Sequence, residues 1–238
     1  MRREKVYLLP GVSADAIQNR TVLLGGVGAI GSTLAERLAR FGVRRIKAVD
    51  KDLLEEHNVE NQIYTLADEI GKPKVEILGK KIRAIDPEIE FTPIWKDICD
   101  MTEAEAKADI YFSCFDNFSA RFFMNDMALF CKVPLIDAGI EGFTGTLRTI
   151  VPRKTPCFHC WPSLIPKGEL KASCSKNPIP STYLTASFAA DLQVMAYIEL
   201  VHNRNTDSYL FFDLEKKILG RIQLERNEDC IMCGGGSS

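Results

Sequence analysis

The sequence predicts an α/β protein, with a Rossmann-like, mostly parallel sheet flanked by helices and a mixed C-terminal extension carrying a structural zinc site. Three observations predict it. A strand, glycine turn, helix and second strand follow one another within residues 21–50. Short apolar runs alternate with segments of helical period as far as Ala138, the signature of a right-handed wound parallel sheet. Two Cys-x-x-Cys pairs, Cys157/Cys160 and Cys230/Cys233, lie far apart in the C-terminal part. The expected organisation is one integrated domain in three stretches: an arm over 1–20, a Rossmann-like region over 21–150, and a metal-clipped part over 151–238.

The first unit opens on an apolar strand from Thr21 to Leu24 and enters the turn Gly26-Val-Gly28-Ala-Ile-Gly31. Leu34, Leu38 and Phe41 then mark one helix face, and Gly42 suits its stop. The second strand, Arg45 to Val49, ends in Asp50. Gly26 permits a tight bend, Gly28 lets a phosphate approach the backbone, and Gly31 lets the helix pack on the strand. Free amides at the helix start face an anion, and Asp50 suits a ribose hydroxyl. Together these imply nucleotide binding. Ser32 stands where a P-loop would need lysine, so the unit is not a P-loop.

The rest reads in order. Residues 1–20 are irregular around one apolar patch, and 51–72 are loop-like. Pro73 opens a helix to about Ile85, with Val75, Leu78, Ile82 and Ile85 at helical spacing. A strand near Ile89 to Ile94, a short helix over Thr102 to Lys107 and a strand over Ile110 to Cys114 follow. A helix from Phe118 to Cys131 leads to strands over Pro134 to Ala138 and Thr146 to Val151. A long helix over Ser181 to His202 precedes two strands, near Tyr209 to Phe212 and Ile218 to Leu224, which should extend the sheet in a partly antiparallel way. The glycine–serine tail, 234–238, reads as disordered.

Composition narrows the function. A net charge of −2 sets up no field for nucleic acid or an anionic membrane. No apolar run approaches the ~20 residues of a bilayer span, and the N-terminal apolar stretch is too short for a secretory signal. A cytoplasmic location is therefore expected, and with it a reducing compartment that disfavours disulfides among the eight cysteines. The two Cys-x-x-Cys turns supply the four thiolates of a closed zinc site, with His159 a spare. Such a site has no open position and is assigned no catalysis.

Ligands of wound sheets sit outside the carboxyl ends of the strands. Asp50, Asp52, Asp116 and Asn117 fall there or in the adjoining loops. Asp116 suits either magnesium or the capping of the next helix. Lys74 stands at a helix start, the wrong end for a cation; this fits a phosphate counter-charge or a plain surface lysine beside Lys72. Cys174 lies between Lys171 and Lys176, which favour a thiolate. Cys99, Cys114 and Cys131 neighbour apolar stretches and read as structural.

The motifs Gly26-Val-Gly28-Ala-Ile-Gly31, Val49-Asp50, Asn58-Val-Glu-Asn61-Gln62, Gly71-Lys-Pro-Lys74, Asp86-Pro87, Cys114-Phe-Asp116-Asn117 and the two cysteine pairs occur in this order along nearly the whole chain. In them the chain resembles the ubiquitin-activating-enzyme superfamily, the ThiF/MoeB/HesA-type adenylyltransferases. The resemblance implies ATP on the glycine turn, ribose on Asp50, Mg2+ on Asp116, and phosphate charge met by Lys74. Asn58 and Gln62 position the nucleotide, with Asp52, Asn61 and Asn117 around it. It further implies a homodimer and a small β-grasp, ubiquitin-like or sulfur-carrier partner ending in Gly-Gly, whose carboxylate becomes an acyl adenylate. The segment around Cys174 resembles one that takes the acyl group as a thioester, ahead of a conjugating enzyme or sulfurtransferase. Two positions depart from the pattern. Asn61 stands where the family places arginine, and Lys5, near Arg2 and Arg3, stands for the arginine that reaches a partner subunit's ATP. Arg121 and Arg44 are the candidate substitutes. The rivals are a nicotinamide-dependent oxidoreductase, a degenerate binding subunit, and a tRNA-modifying dehydratase relative.

Overall fold

The computed structural model describes residues 4–65, 70–161, 180–204 and 209–234. Cys174, Arg2, Arg3 and the tail 235–238 lie outside them. Helices α1 (Glu4–Tyr7) and α2 (Ala14–Gln18) precede β1 (Thr21–Gly25), α3 (Ala29–Phe41) and β2 (Arg45–Asp50). Then come α4 (Lys74–Ile85), β3 (Glu90–Trp95), α5 (Glu103–Ala106), β4 (Ile110–Ser113) and α6 (Phe118–Cys131). The chain continues through β5 (Leu135–Glu141), β6 (Thr144–Ile150), α7 (Tyr183–Val201), β7 (Tyr209–Asp213) and β8 (Ile218–Arg221).

The eight strands form one sheet in the order β3-β2-β1-β4-β5-β6-β7-β8. The first five are parallel and the last three antiparallel, as the sequence leads one to expect. From β1 the chain steps outward to β2 and β3, then returns to place β4 on the other side of β1. The crevice between β1 and β4 is therefore the switch point where a ligand has room.

Central strands read as unbroken apolar runs because both their faces are covered. Val22 and Leu24 enter one core, with residues of α3, α4 and α7; Leu23 enters the other, with α6 and the four paired cysteines. Gly42, in the left-handed region at φ 116, ends α3 by donating its amide to Leu38 O. Among the described residues α7 alone is long and apolar enough to cross a membrane by length and composition, and 56% of that window is buried. It is not a continuous apolar run, because Thr185, Ser187, Asp191, Gln193 and Glu199 interrupt it. A helix apolar on all sides belongs in a core, and α7 packs against α3, β5 and β6.

The arm is not irregular: it carries α1 and α2. Ser13 Oγ caps α2 by accepting from Ala16 N, and Ile17 is fully buried. Tyr197 Oη donates to Ile17 O at 2.8 Å, and Ser13 N to His202 Nε2 at 2.8 Å, so α7 ties the arm to its own subunit. Within 51–72, a 3-10 turn covers Glu56–Glu60. Strands β5 and β6 run further than expected because they pair as a hairpin out to Glu141 and Thr144. The last strand, β8, stops at Arg221, short of Leu224.

Candidate functional site

The three turn glycines answer to different forces. Gly26 has φ +81, and its amide donates to Val49 O at 2.9 Å. A Cβ on Gly31 would lie 2.0 Å from Gly26 O, so the fold itself forbids a side chain there. Gly28 differs: the nearest atom to a Cβ would be Gln62 Nε2 at 3.9 Å. Among the described residues no atom crowds that position, so the backbone at Gly28 is left open. The first amides of α3 lack intrahelical partners and open toward the same space.

Asp50 closes one side. Its Oδ2 accepts from Val27 N at 2.7 Å and its Oδ1 from Asp52 N at 2.8 Å. Burial raises its pKa above the usual carboxylate value, against the opposing pull of those two hydrogen bonds and of Lys74. Each oxygen keeps capacity for a hydroxyl donor. Buried Tyr64 donates to Val27 O at 2.8 Å and fixes the turn from below. Lys74 is buried at the start of α4, its Nζ 3.5 Å from Asp52 Oδ2 and its amide on Asp52 O at 3.0 Å. Asp52, itself largely exposed, is thus the nearby counter-charge that a cation at a helix start calls for.

Asn58 is buried and Asn58 Oδ1 accepts from Glu55 N at 2.9 Å, which completes the cap of the 3-10 turn. Asn61 Nδ2 donates to Ser181 Oγ at 2.7 Å. Gln62 Oε1 is buried without a hydrogen-bond partner. A buried acceptor left open costs free energy, and this one stands beside the glycine that the fold leaves clear.

Across the crevice, Asp116 follows β4 and is exposed. The two readings of Asp116 separate here, because the helix is capped by its neighbour: Asn117 Oδ1 accepts from Ala120 N at 2.8 Å. Asn117 Nδ2 also donates to Asp116 Oδ1 at 3.4 Å. Asp116 therefore does not cap the helix; Asn117 does.

The substitute arginines are placed elsewhere. Arg44 sits just before β2, at the amino end of the strand whose carboxyl end carries Asp50, and pairs with Asp86 at 3.4 Å and Glu88 at 2.8 Å. It cannot serve the phosphates, which corrects that expectation. Arg121 is buried in α6 and forks onto buried Asp137, Nε to Oδ1 at 2.9 Å and Nη2 to Oδ2 at 2.5 Å. Its charge is met beneath the site. Lys5 lies in α1. Sequence reasoning missed Tyr64, which carries no local signal, and Gln193. The latter's Nε2 donates to Ser113 O at 3.3 Å and Ile136 O at 3.1 Å, clamping the ends of β4 and β5. A glutamine in a largely apolar helix, four residues before buried Tyr197, was the available signal. Beneath that clamp Cys114 donates to Gln193 Oε1, and burial pushes its thiol up to about 12. It is an inert core residue, as expected.

The four paired cysteines meet. Their sulfurs all lie within 4.8 Å of one another and are buried. The separations are 3.9 Å for Cys157–Cys160, 3.6 Å for Cys157–Cys230 and 3.3 Å for Cys160–Cys233. A zinc tetrathiolate with ~2.3 Å bonds needs edges of about 3.8 Å, so the cluster fits a metal of that kind. His159 turns away to Asp126 at 2.7 Å and is not a fifth donor.

A wound parallel sheet with acids at the carboxyl end of β2 and just after β4, on either side of β1, is an architecture suited to a nucleotide. The family described as "ThiF family" matches residues 4–232, and the chain belongs to it. The SAMP-activating enzyme E1 of Haloferax volcanii is 28% identical over 223 residues, covering 90% of this chain and 80% of that protein. The sulfur carrier protein ThiS adenylyltransferase of Bacillus subtilis is 28% identical over 240 residues, covering 98% and 70%. In fold, E. coli MccB crystallised with ATP superposes with a TM-score of 0.80 at 23% identity, covering 93% of this chain and 68% of that one.

Proposed function

We propose that this protein adenylates the C-terminal glycine carboxylate of a small ubiquitin-like or sulfur-carrier protein at the expense of ATP. The observation that supports the reading is that Gly28, Asp50, the Lys74–Asp52 pair and exposed Asp116 all follow the carboxyl ends of neighbouring parallel strands β1, β2 and β4. Relatives named as an activating enzyme E1 and as a sulfur carrier protein adenylyltransferase support it. In this reading Asp50 accepts the ribose hydroxyls and the α3 amides receive phosphate. Lys74 neutralises phosphate charge; a unit charge pair 4 Å apart gains about 4 kcal/mol at an effective dielectric of 20. Gln62 gains the partner it lacks. Asp116 would hold magnesium, which when bound offsets charge on the departing pyrophosphate. The carrier's carboxylate oxygen bonds to the α-phosphorus as the α–β bridge breaks, and pyrophosphate leaves with the electron pair. Catalysis is then mainly positioning and electrostatics.

The finer parts belong to the same proposal: zinc in the four-cysteine cluster, a cytoplasmic homodimer, and transfer of the acyl group to Cys174 with release of AMP, ahead of a conjugating enzyme or sulfurtransferase. The test is ATP–pyrophosphate exchange with Gly-Gly-ended β-grasp proteins. Exchange with one of them is expected, and none with any would end the reading. A Cys174→Ala chain should still exchange but lose a thiol-sensitive conjugate. A second reading, a binding subunit with weak turnover, is favoured by one observation: Asn61 is engaged with Ser181 and brings no guanidinium to the phosphates. Tight ATP binding without exchange would select it.

A further inference from the structure

Trp95 ends β3, is 55% exposed and is packed in neither core. A single exposed aromatic is ordinary on a protein surface; its position carries the argument. Trp95 is the register partner of Asp50 in the parallel β2–β3 ladder. Partners in a ladder project to the same face from strands ~4.8 Å apart. Asp50 uses that face to reach the glycine turn through Val27 N. The indole Nε1 donates to Lys51 O at 2.9 Å, which fastens the ring beside the loop leaving Asp50 and uses its one polar group. What remains for a ligand is the flat apolar ring.

The direction of a bound nucleotide follows. With ribose on Asp50 and phosphates over Gly28, the 5′ side points from β2 toward β1. The base, on the other side of the sugar, then points outward to β3, the edge strand. We propose that Trp95 is the platform on which the nucleobase stacks, a subsite for the purine ring; this rests on the nucleotide reading above. The contact uses ring faces alone, so it supplies affinity without choosing among purines.

Two tryptophans are present, and Trp161 lies away from this end, bonded to Glu225 O. In a Trp161→Phe chain, titration with magnesium ATP should quench the remaining fluorescence. Trp95→Ala should weaken ATP binding about 5- to 150-fold by calorimetry, the range for base–aromatic stacking, and Trp95→Phe should recover most of it. Inhibition by tripolyphosphate, which has no base, should be the same in all three. Unchanged ATP affinity in Trp95→Ala, or equal loss for ATP and tripolyphosphate, would overturn the platform while leaving the nucleotide reading in place. A parent chain that binds no ATP would remove both.

Discussion

The two strand ends that face the crevice are built in opposite ways. At β2, Asp50 is held by two backbone amides and Lys74 is buried against Asp52. At β4, Asp116 is exposed, touched by Asn117 at 3.4 Å. One side is held by the protein's own hydrogen bonds; the other is left open to solvent. The β4 side is steadied from beneath, since Arg121 of α6 pairs with buried Asp137 of β5. The Arg121 guanidinium lies over Phe158, between the first two cysteines, at 5.7 Å. Arg148 stacks on the same ring at 4.6 Å. The cysteine cluster is therefore packed against the less organised half.

The largest effect that would sharpen this contrast is metal removal. Structural zinc contributes ~10–16 kcal/mol in zinc-finger peptides. Chelation or Cys230→Ser should abolish a one-per-chain zinc content and lower the melting temperature. Hydrogen exchange should rise in α6 and around 157–160 before it rises in 21–50; simultaneous opening would break the contrast. Next in size is Gly31→Ala, whose Cβ meets Gly26 O at 2.0 Å. It should destabilise by roughly 3 kcal/mol or more, whereas Gly28→Ala should fold normally and lose ATP affinity. Equal melting temperatures for the two would refute that assignment. Asp116→Asn should lower pyrophosphate exchange about a hundredfold or more while leaving the melting temperature within the range of an ordinary surface change, near ±0.5 kcal/mol.

The smallest effect is a shift in pH dependence. Burial raises the folded-state pKa of Asp50, so its contribution to stability is present in acid and lost as pH rises through that value. Ionised Asp50 thus costs stability in the free protein at neutral pH. Lys74 opposes the shift, so Lys74→Met should move the Asp50 titration further up, and with it the acid limb of ATP binding. An unmoved limb would show that the Lys74 charge does not reach Asp50.

Much of this was legible in the sequence because it is local. Gly26, Gly28, Gly31 and Asp50 fall within one strand–helix–strand unit, where spacing alone sets who faces the phosphate. Gly42 ends its helix by a conformation that other residues resist. The cysteine pairs announced their meeting because two sulfurs on a turn still need two more. The tertiary structure alone decided what depends on distant neighbours. Asp86 and Glu88 took the charge of Arg44, Asp137 took that of Arg121, and Asp52 faced Lys74. The cap fell to Asn117, the residue directly before α6, and not to Asp116. Trp95 came beside Asp50 through the β2–β3 register, a non-local pairing that hydrophobic pattern does not fix at an exposed strand end.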